Sequence, residues 1–140
     1  MKKFRPGWDA IWLKFAHLIS ERSYDDRYKV GAIVVSIDNT QVLAVGYNGN
    51  YSGGPNEADS AEPGKSGFIH AEINALLKCD YNYHKVKKLY VTLSPCMMCA
   101  KAIINAGISE VIYDDEYRDT AGIQLMKDTG IVVRRVNNYS

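Results

Sequence analysis

Two thiols, an imidazole and a carboxylate are the side chains in this sequence whose types and spacing could do chemistry. Cys96 and Cys99 form a C-x-x-C pair introduced by Pro95, and Glu72 of the string His70-Ala71-Glu72 precedes that proline by 23 positions. A bare C-x-x-C reads equally as a thioredoxin-like redox pair, half of a structural zinc site, or two core cysteines. Redox chemistry gives no role to a nearby H-x-E. A closed structural site needs a fourth donor, and Cys79 lies about two turns down the helix that His70 would begin. With His70 counted, one imidazole and two thiolates leave a tetrahedral Zn²⁺ one open position for water, which is the coordination of a catalytic ion. Glu72 can then stand beside the metal without ligating it and take a proton from that water. Plainer alternatives remain open: a histidine at a helix start is commonly a cap, and an acid in the first turn merely complements the helix dipole.

Both strings sit where a loop or strand feeds a helix. Trp8, Ile11, Trp12, Phe15, Leu18 and Ile19 recur at steps of three and four, which predicts an amphipathic helix over 8–22, with Pro6 and Gly7 marking its start. The β-branched run 30–37, the turn residues Asp38-Asn39 and the apolar run 41–47 predict a β-hairpin. Segment 48–67 is rich in Gly and Pro and should be a loop of about twenty residues, a length that is usually functional or disordered. Ile73, Leu76 and Leu77 give a helix from near His70 to before Asp80. Strands over 89–93, 108–113 and 131–136 then alternate with helices over 96–106 and 119–128, closed by Gly107 and Gly130. This order implies three parallel strands joined to the antiparallel hairpin, an α/β class with helices on both faces of one mixed five-stranded sheet. In such a sheet, sites form beyond the carboxyl ends of the parallel strands, directly where Ser94-Pro95-Cys96 falls. The helix start there lowers thiol pKa, and Pro95 has no N–H to leave unpaired.

The length of 140 residues fits a single domain over 1–140, because two halves would each approach the lower limit for a self-supporting core. Residues AVILMFWYC at 46% and DEKR at 24% exclude disorder as the main state. The 17 Lys and Arg against 16 Asp and Glu give a net charge of +1, so no global field holds DNA or RNA, and no nucleic-acid partner is expected. The uncharged apolar run 31–37 is far short of the ~20 residues of a bilayer span. Met1-Lys2-Lys3 opens like a signal peptide, but Arg5, Asp9 and Lys14 interrupt any apolar core, so a cytoplasmic setting is expected. Three cysteines make no disulfide framework and suit a reducing compartment.

H-x-E followed by P-C-x-x-C is the signature of zinc deaminases, with the glutamate as general acid and base. The sequence resembles the cytidine-deaminase-like zinc deaminases and, within them, the deoxycytidylate (dCMP) deaminase family, over nearly the whole chain. The matching segments are Ser23 with Val30-Gly31-Ala32, Gly46-Tyr47-Asn48-Gly49 with Ser52-Gly53-Gly54, His70 to Ala75, Tyr90 to Lys101, and Tyr117. The resemblance implies a three-layer α/β/α fold and hydrolytic deamination of dCMP to dUMP and ammonia, supplying thymidylate synthesis. It implies zinc on His70, Cys96 and Cys99, proton transfer by Glu72, and substrate contacts at Asn48, Ala71, Ser94 and Tyr117. It further implies a homohexamer activated by dCTP and inhibited by dTTP, each with Mg²⁺. The regulatory candidates are Asn48, Gly49, Asn50, Ser52, Gly53 and Lys65. Tyr81 stands where some members carry a regulatory arginine, which departs from the pattern.

A 5′-phosphate demands cationic donors, and Arg22, Arg27, Lys29 and Arg118 are the candidates. Tyr51, Tyr81 and Tyr83 are candidate interface aromatics. A tRNA adenosine deaminase of the same superfamily would use nearly the same metal motifs. Against it stand the near-zero charge, Lys101 in place of a small residue, the 21 residues between Asn48 and His70, and the end of the chain soon after Val136 without a basic helix. A non-catalytic zinc-stabilised module, with Glu72 as surface charge, is the alternative of a different class.

Overall fold

The structure, a computed structural model, describes residues 4–137; the Met1-Lys2-Lys3 opening lies outside the described residues. Its elements follow the expected order: α1 (Trp8–Ser20), β1 (Gly31–Ser36), β2 (Val42–Tyr47), α2 (Ala71–Lys78), β3 (Lys87–Leu93), α3 (Met97–Asn105), β4 (Glu110–Asp115), α4 (Ala121–Asp128) and β5 (Val132–Arg135). The sheet order is β2-β1-β3-β4-β5. β1 pairs antiparallel with β2 and β3, while β3, β4 and β5 are parallel, so the hairpin joins the parallel strands through β1.

The continuous apolar run of β1 is explained by burial of both its faces. Ile33 and Val35 point to one side, where they meet Trp12, Leu13 and Ala16 of α1 together with Tyr90 and Ile112. Ala32 and Val34 point to the other side, into a larger core with Ala75 of α2, Ala100 and Ile103 of α3, and Ile123 and Met126 of α4. One helix therefore covers one face and three cover the other, a three-layer α/β/α arrangement.

Two close approaches set the helices that matter for the site. A Cβ on Gly46 would stand 2.5 Å from the Ala71 carbonyl oxygen and the Ala75 nitrogen, so at this point α2 lies directly on the β2 backbone. A Cβ on Gly122 would stand 2.7 Å from the Pro95 carbonyl oxygen, so α4 presses on the loop that leads into α3.

Boundaries differ from expectation by a residue or two, for local reasons. α1 stops at Ser20, and residues 21 and 22 continue as a tighter turn, their N–H groups bonding to the carbonyls of Leu18 and Ile19. α4 begins at Ala121 because the Asp119 carboxylate accepts the Ala121 N–H at 3.0 Å. β3 begins two residues early, at Lys87, with Lys87 and Lys88 both buried. Their ammonium groups stand 5.8 Å from the Tyr83 ring centre and 5.3 Å from that of Tyr90, contacts that make a charged strand start tolerable. Tyr83 is accordingly half-buried, in contrast to the surface position expected of it, whereas Tyr51 and Tyr81 are exposed.

The α1 face is tied down by a polar cluster at its edge. Tyr90 donates its hydroxyl to Asp9 at 2.6 Å, and Arg134 donates to Asp9 at 3.0 Å and to Glu110 at 2.7 Å. Burial opposes ionisation of Asp9, but the bonds from Arg134 and Tyr90 outweigh it and hold the carboxyl below its usual range. A carboxyl with a depressed native pKa stabilises the fold above the ordinary carboxyl range and loses that contribution as pH falls through the native value. Asp9→Asn should therefore cost about 1 kcal/mol at pH 7, discounted for partial exposure. The gap from wild type should close toward pH 3, read as the difference between paired urea melts, in which acid effects common to both proteins cancel.

Candidate active site

Topology brings four chain segments to one edge of the sheet. β3 and β4 are parallel and end there, at Leu93 and Asp115. β2 is antiparallel to β1, which is antiparallel to β3, so β2 runs in the same sense as β3 and also ends at this edge, at Tyr47. β1 starts there, and the segment before it joins the same group.

At this edge the residues preceding α2 and α3 are His70 and Cys96, each an extended N-cap. His70 Nδ1 lies 3.2 Å from Cys99 Sγ and 3.5 Å from Cys96 Sγ. The donor atoms of all three residues fall within 4.8 Å of one another. Tetrahedral zinc with sulfur ligands at 2.3 Å and a nitrogen ligand near 2.0 Å sets nitrogen and sulfur donors about 3.5 Å apart, so the two nitrogen–sulfur distances suit that ion. Two helix N-termini with their unpaired N–H groups surround the sulfurs, a setting that favours thiolate. Cys96 is driven to about 4 by the hydrogen bond from the Cys99 thiol, against burial and with help from His70. The same bond, added to burial, pushes the Cys99 thiol upward. A divalent cation held between them would neutralise both thiolates.

Glu72 is 4% exposed, and burial pushes its carboxyl up to about 7. A surface acid complementing a helix dipole would be solvated, so that alternative fails. Together with His70, Ala71, Ser94 and Cys96, Glu72 lines a cavity of about 1000 Å³, the upper end of the range for small-molecule sites. Phe68, Leu93 and Tyr117 give it apolar surface. Ser94 fixes one wall: its hydroxyl accepts the Tyr117 N–H at 2.7 Å, and its own N–H donates to the Asp115 carbonyl at 2.8 Å.

A family model described as "Cytidine and deoxycytidylate deaminase zinc-binding region" matches residues 6–114. The deoxycytidylate deaminase of Mycobacterium phage D29 is 38% identical over 80% of this chain and 98% of that protein. The chain belongs to the cytidine and deoxycytidylate deaminase family. The deoxycytidylate deaminase of Saccharomyces cerevisiae is 35% identical over 94% of this chain, which spans 45% of the yeast protein's length. The crystal structure of dCMP deaminase from the cyanophage S-TIM5 in complex with dCMP and dUMP has a TM-score of 0.83 at 37% identity. It covers 96% of this chain and 100% of that one.

In this family member not every residue expected at the site reaches the cavity. Arg27 and Arg118 line it, but Arg22 and Lys29 border a separate recess with Glu21 and Asp26. Tyr24 and Asp26 line both recesses, and between them the Asp25 carboxylate accepts the N–H groups of Arg27 and Tyr28 at 2.7 and 3.2 Å, which shapes the turn there. The regulatory candidates Gly49, Asn50, Ser52, Gly53 and Lys65, expected at a nucleotide site distinct from the catalytic one, are not part of this cavity's lining. Gly49 is bridged to Ile69, Asn50 donates to the Pro55 carbonyl, and Lys65 pairs with Glu62 at 3.0 Å. The predicted 48–67 loop carries no helix or strand and instead folds over the site, with Asn56 to Glu62 among the lining. Cys79 caps the far end of α2, apart from the metal-ligating group. Tyr117 is half-buried and lines the cavity.

Asn48 has a part that its turn chemistry did not announce. Its Oδ1 accepts the Val30 N–H at 2.9 Å, and its amide donates to the Tyr28 carbonyl at 2.7 Å and to Asp25 at 3.2 Å. Ser23 completes the clasp by donating to the Asn48 carbonyl at 2.9 Å. Asn48→Ala strands the buried Val30 N–H and the Tyr28 carbonyl and should destabilise the protein by about 2 kcal/mol. Chemical denaturation measures the loss, and faster amide exchange should be confined first to residues 24–30.

Proposed function

We propose that this chain is a dCMP deaminase that converts dCMP and water into dUMP and ammonia, with zinc held by His70 Nδ1 and the thiolates of Cys96 and Cys99. The observation that carries the reading is the meeting of one imidazole and two sulfurs at tetrahedral spacing beside a buried, unligated glutamate in a nucleotide-sized cavity. The dCMP and dUMP bound in the crystal structure of the cyanophage relative support the choice of base and sugar. Zinc, when bound, supplies the Lewis acidity that makes hydroxide available from water near neutral pH.

The protein's own groups do the rest. Glu72, with its carboxyl raised into the neutral range, accepts the proton of the attacking water and delivers protons to N3 of cytosine and to the departing amine. The first-turn N–H groups of α2, including that of Ala71, are unused within the helix and are available to the pyrimidine edge, as is the backbone around Ser94 and Cys96. Tyr117 and Phe68 offer ring faces within the same cavity. The fold 1–140 acts as one domain in this reading, supported by the single sheet that carries every described strand.

Family membership alone supports the extension to thymidylate supply in the cytoplasm, a hexamer, and dCTP and dTTP regulation with Mg²⁺. No helix among the described residues is long and apolar enough to cross a membrane.

Glu72→Gln keeps shape and polarity but not proton transfer. It should retain one zinc per chain by elemental analysis and the wild-type melting profile while ammonia release from dCMP falls by about 10³-fold or more. A non-catalytic module predicts that wild type itself releases no ammonia, and a tRNA deaminase predicts turnover of an anticodon stem instead. Cys99→Ser should lose zinc and activity together, with the metal content as the deciding measurement.

A further inference from the structure

We infer that Asn74 is a positioning residue for His70, its side-chain amide setting where α2 begins along β2 and so how the imidazole meets the two sulfurs; this rests on the zinc reading of the site. His70 is the N-cap of α2, yet its side chain makes no capping bond, because Nδ1 is turned toward Cys99 and Cys96. The residue is also exposed, so packing does not hold it. Its backbone has to be fixed by its neighbours.

Asn74, one turn into the helix, makes those connections. Its amide donates to the Tyr47 carbonyl at 2.8 Å and reaches the Ile69 carbonyl at 3.4 Å, while its own N–H donates to the His70 carbonyl at 3.0 Å. Ile69 is bridged in turn to Gly49 by bonds of 2.8 and 3.0 Å. The two residues that lead into the helix are thereby tied to the two that flank Asn48.

The same bond sets a register. β2 is an outer strand of the sheet, and its carbonyls at Val45 and Tyr47 are both taken by α2, the first by Lys78 at 3.4 Å and the second by Asn74. Two residues of strand span about 6.8 Å and four residues of helix about 6 Å, so the pairs match when α2 runs antiparallel to β2. The Lys78 contact is long and exposed, which leaves the shorter, half-buried Asn74 bond to resist sliding. A slip of one residue would carry His70 by about 1.5 Å, against metal–ligand distances that tolerate about 0.2 Å. Asparagine is also a poor choice for a helix interior, because its amide competes for backbone groups. Here that tendency is spent on the strand.

The test is the zinc affinity of the folded apo-protein, measured by competition with a chromophoric chelator, with a metal-free urea melt of each variant alongside. A merely structural bond would lower the melt midpoint and leave the affinity of the folded protein alone. Asn74→Ala should instead bind zinc about 10- to 100-fold more weakly than wild type, and its cobalt(II)-substituted form should show an altered visible spectrum. Asn74→Gln, which keeps the donor on a longer arm, should fall between the two and supplies the reading where the alanine variant does not fold. Lys78→Ala, which removes the β2 bond farther from His70, should keep wild-type zinc affinity. Affinity within about threefold of wild type in the folded Asn74 variants, or a loss as large in Lys78→Ala, would overturn the inference. A wild type that takes up no zinc removes the metal reading and this inference together, whereas tight wild-type binding shared by the Asn74 variants removes this inference alone.

Discussion

The backbones of α2 and α3 both begin at the carboxyl-end edge of the sheet, and the cap residue of each aims a donor atom at the other. That meeting, with His70 Nδ1 3.5 Å from Cys96 Sγ and 3.2 Å from Cys99 Sγ one turn on, is the constraint on which the site depends. It requires α2 to lie flat on β2, which Gly46, Ala71 and Ala75 permit, and α3 to start immediately after β3. A larger residue at Gly46 or Gly122 would have to push its neighbour away by roughly 1 Å, enough to spoil metal–ligand distances that tolerate only a few tenths. The small residues are thus part of the coordination geometry although they touch no ligand atom.

Much of this was legible in the sequence because the signals are local. The strand and helix order, the mixed sheet and the two caps follow from periodicity and from punctuation by Gly and Pro. The triad of donors with Glu72 follows from residue type and spacing. What sequence could not supply was which side of a turn a residue faces. Arg22, Arg27 and Lys29 look equivalent along the chain, yet of the three only Arg27 lines the cavity. Likewise nothing in a Gly-Tyr-Asn-Gly string says that the asparagine amide will be consumed in holding the segment before β1.

The edge itself was only half foreseen. The rule for parallel strands points to the ends of β3 and β4, but β2 contributes as well, because two successive antiparallel pairings return it to the direction of β3. Asn48, at the end of β2, can therefore bond to Val30 at the start of β1. This bond closes the open end of the hairpin beside the site, where the antiparallel register sets Tyr47 opposite Gly31.

The cavity is built from two kinds of material. Its floor is made of helix starts and strand ends locked to the core, while its rim is drawn from residues 24–28 and from the segment 56–66 without Asp59 and Lys65, the two stitched to each other by Arg27 and Ala61. The rim carries none of the donors in the floor. Insertions or replacements in it can therefore accumulate without disturbing the hydrolytic machinery, and one scaffold can drift between ligands of different bulk while its chemistry stays constant.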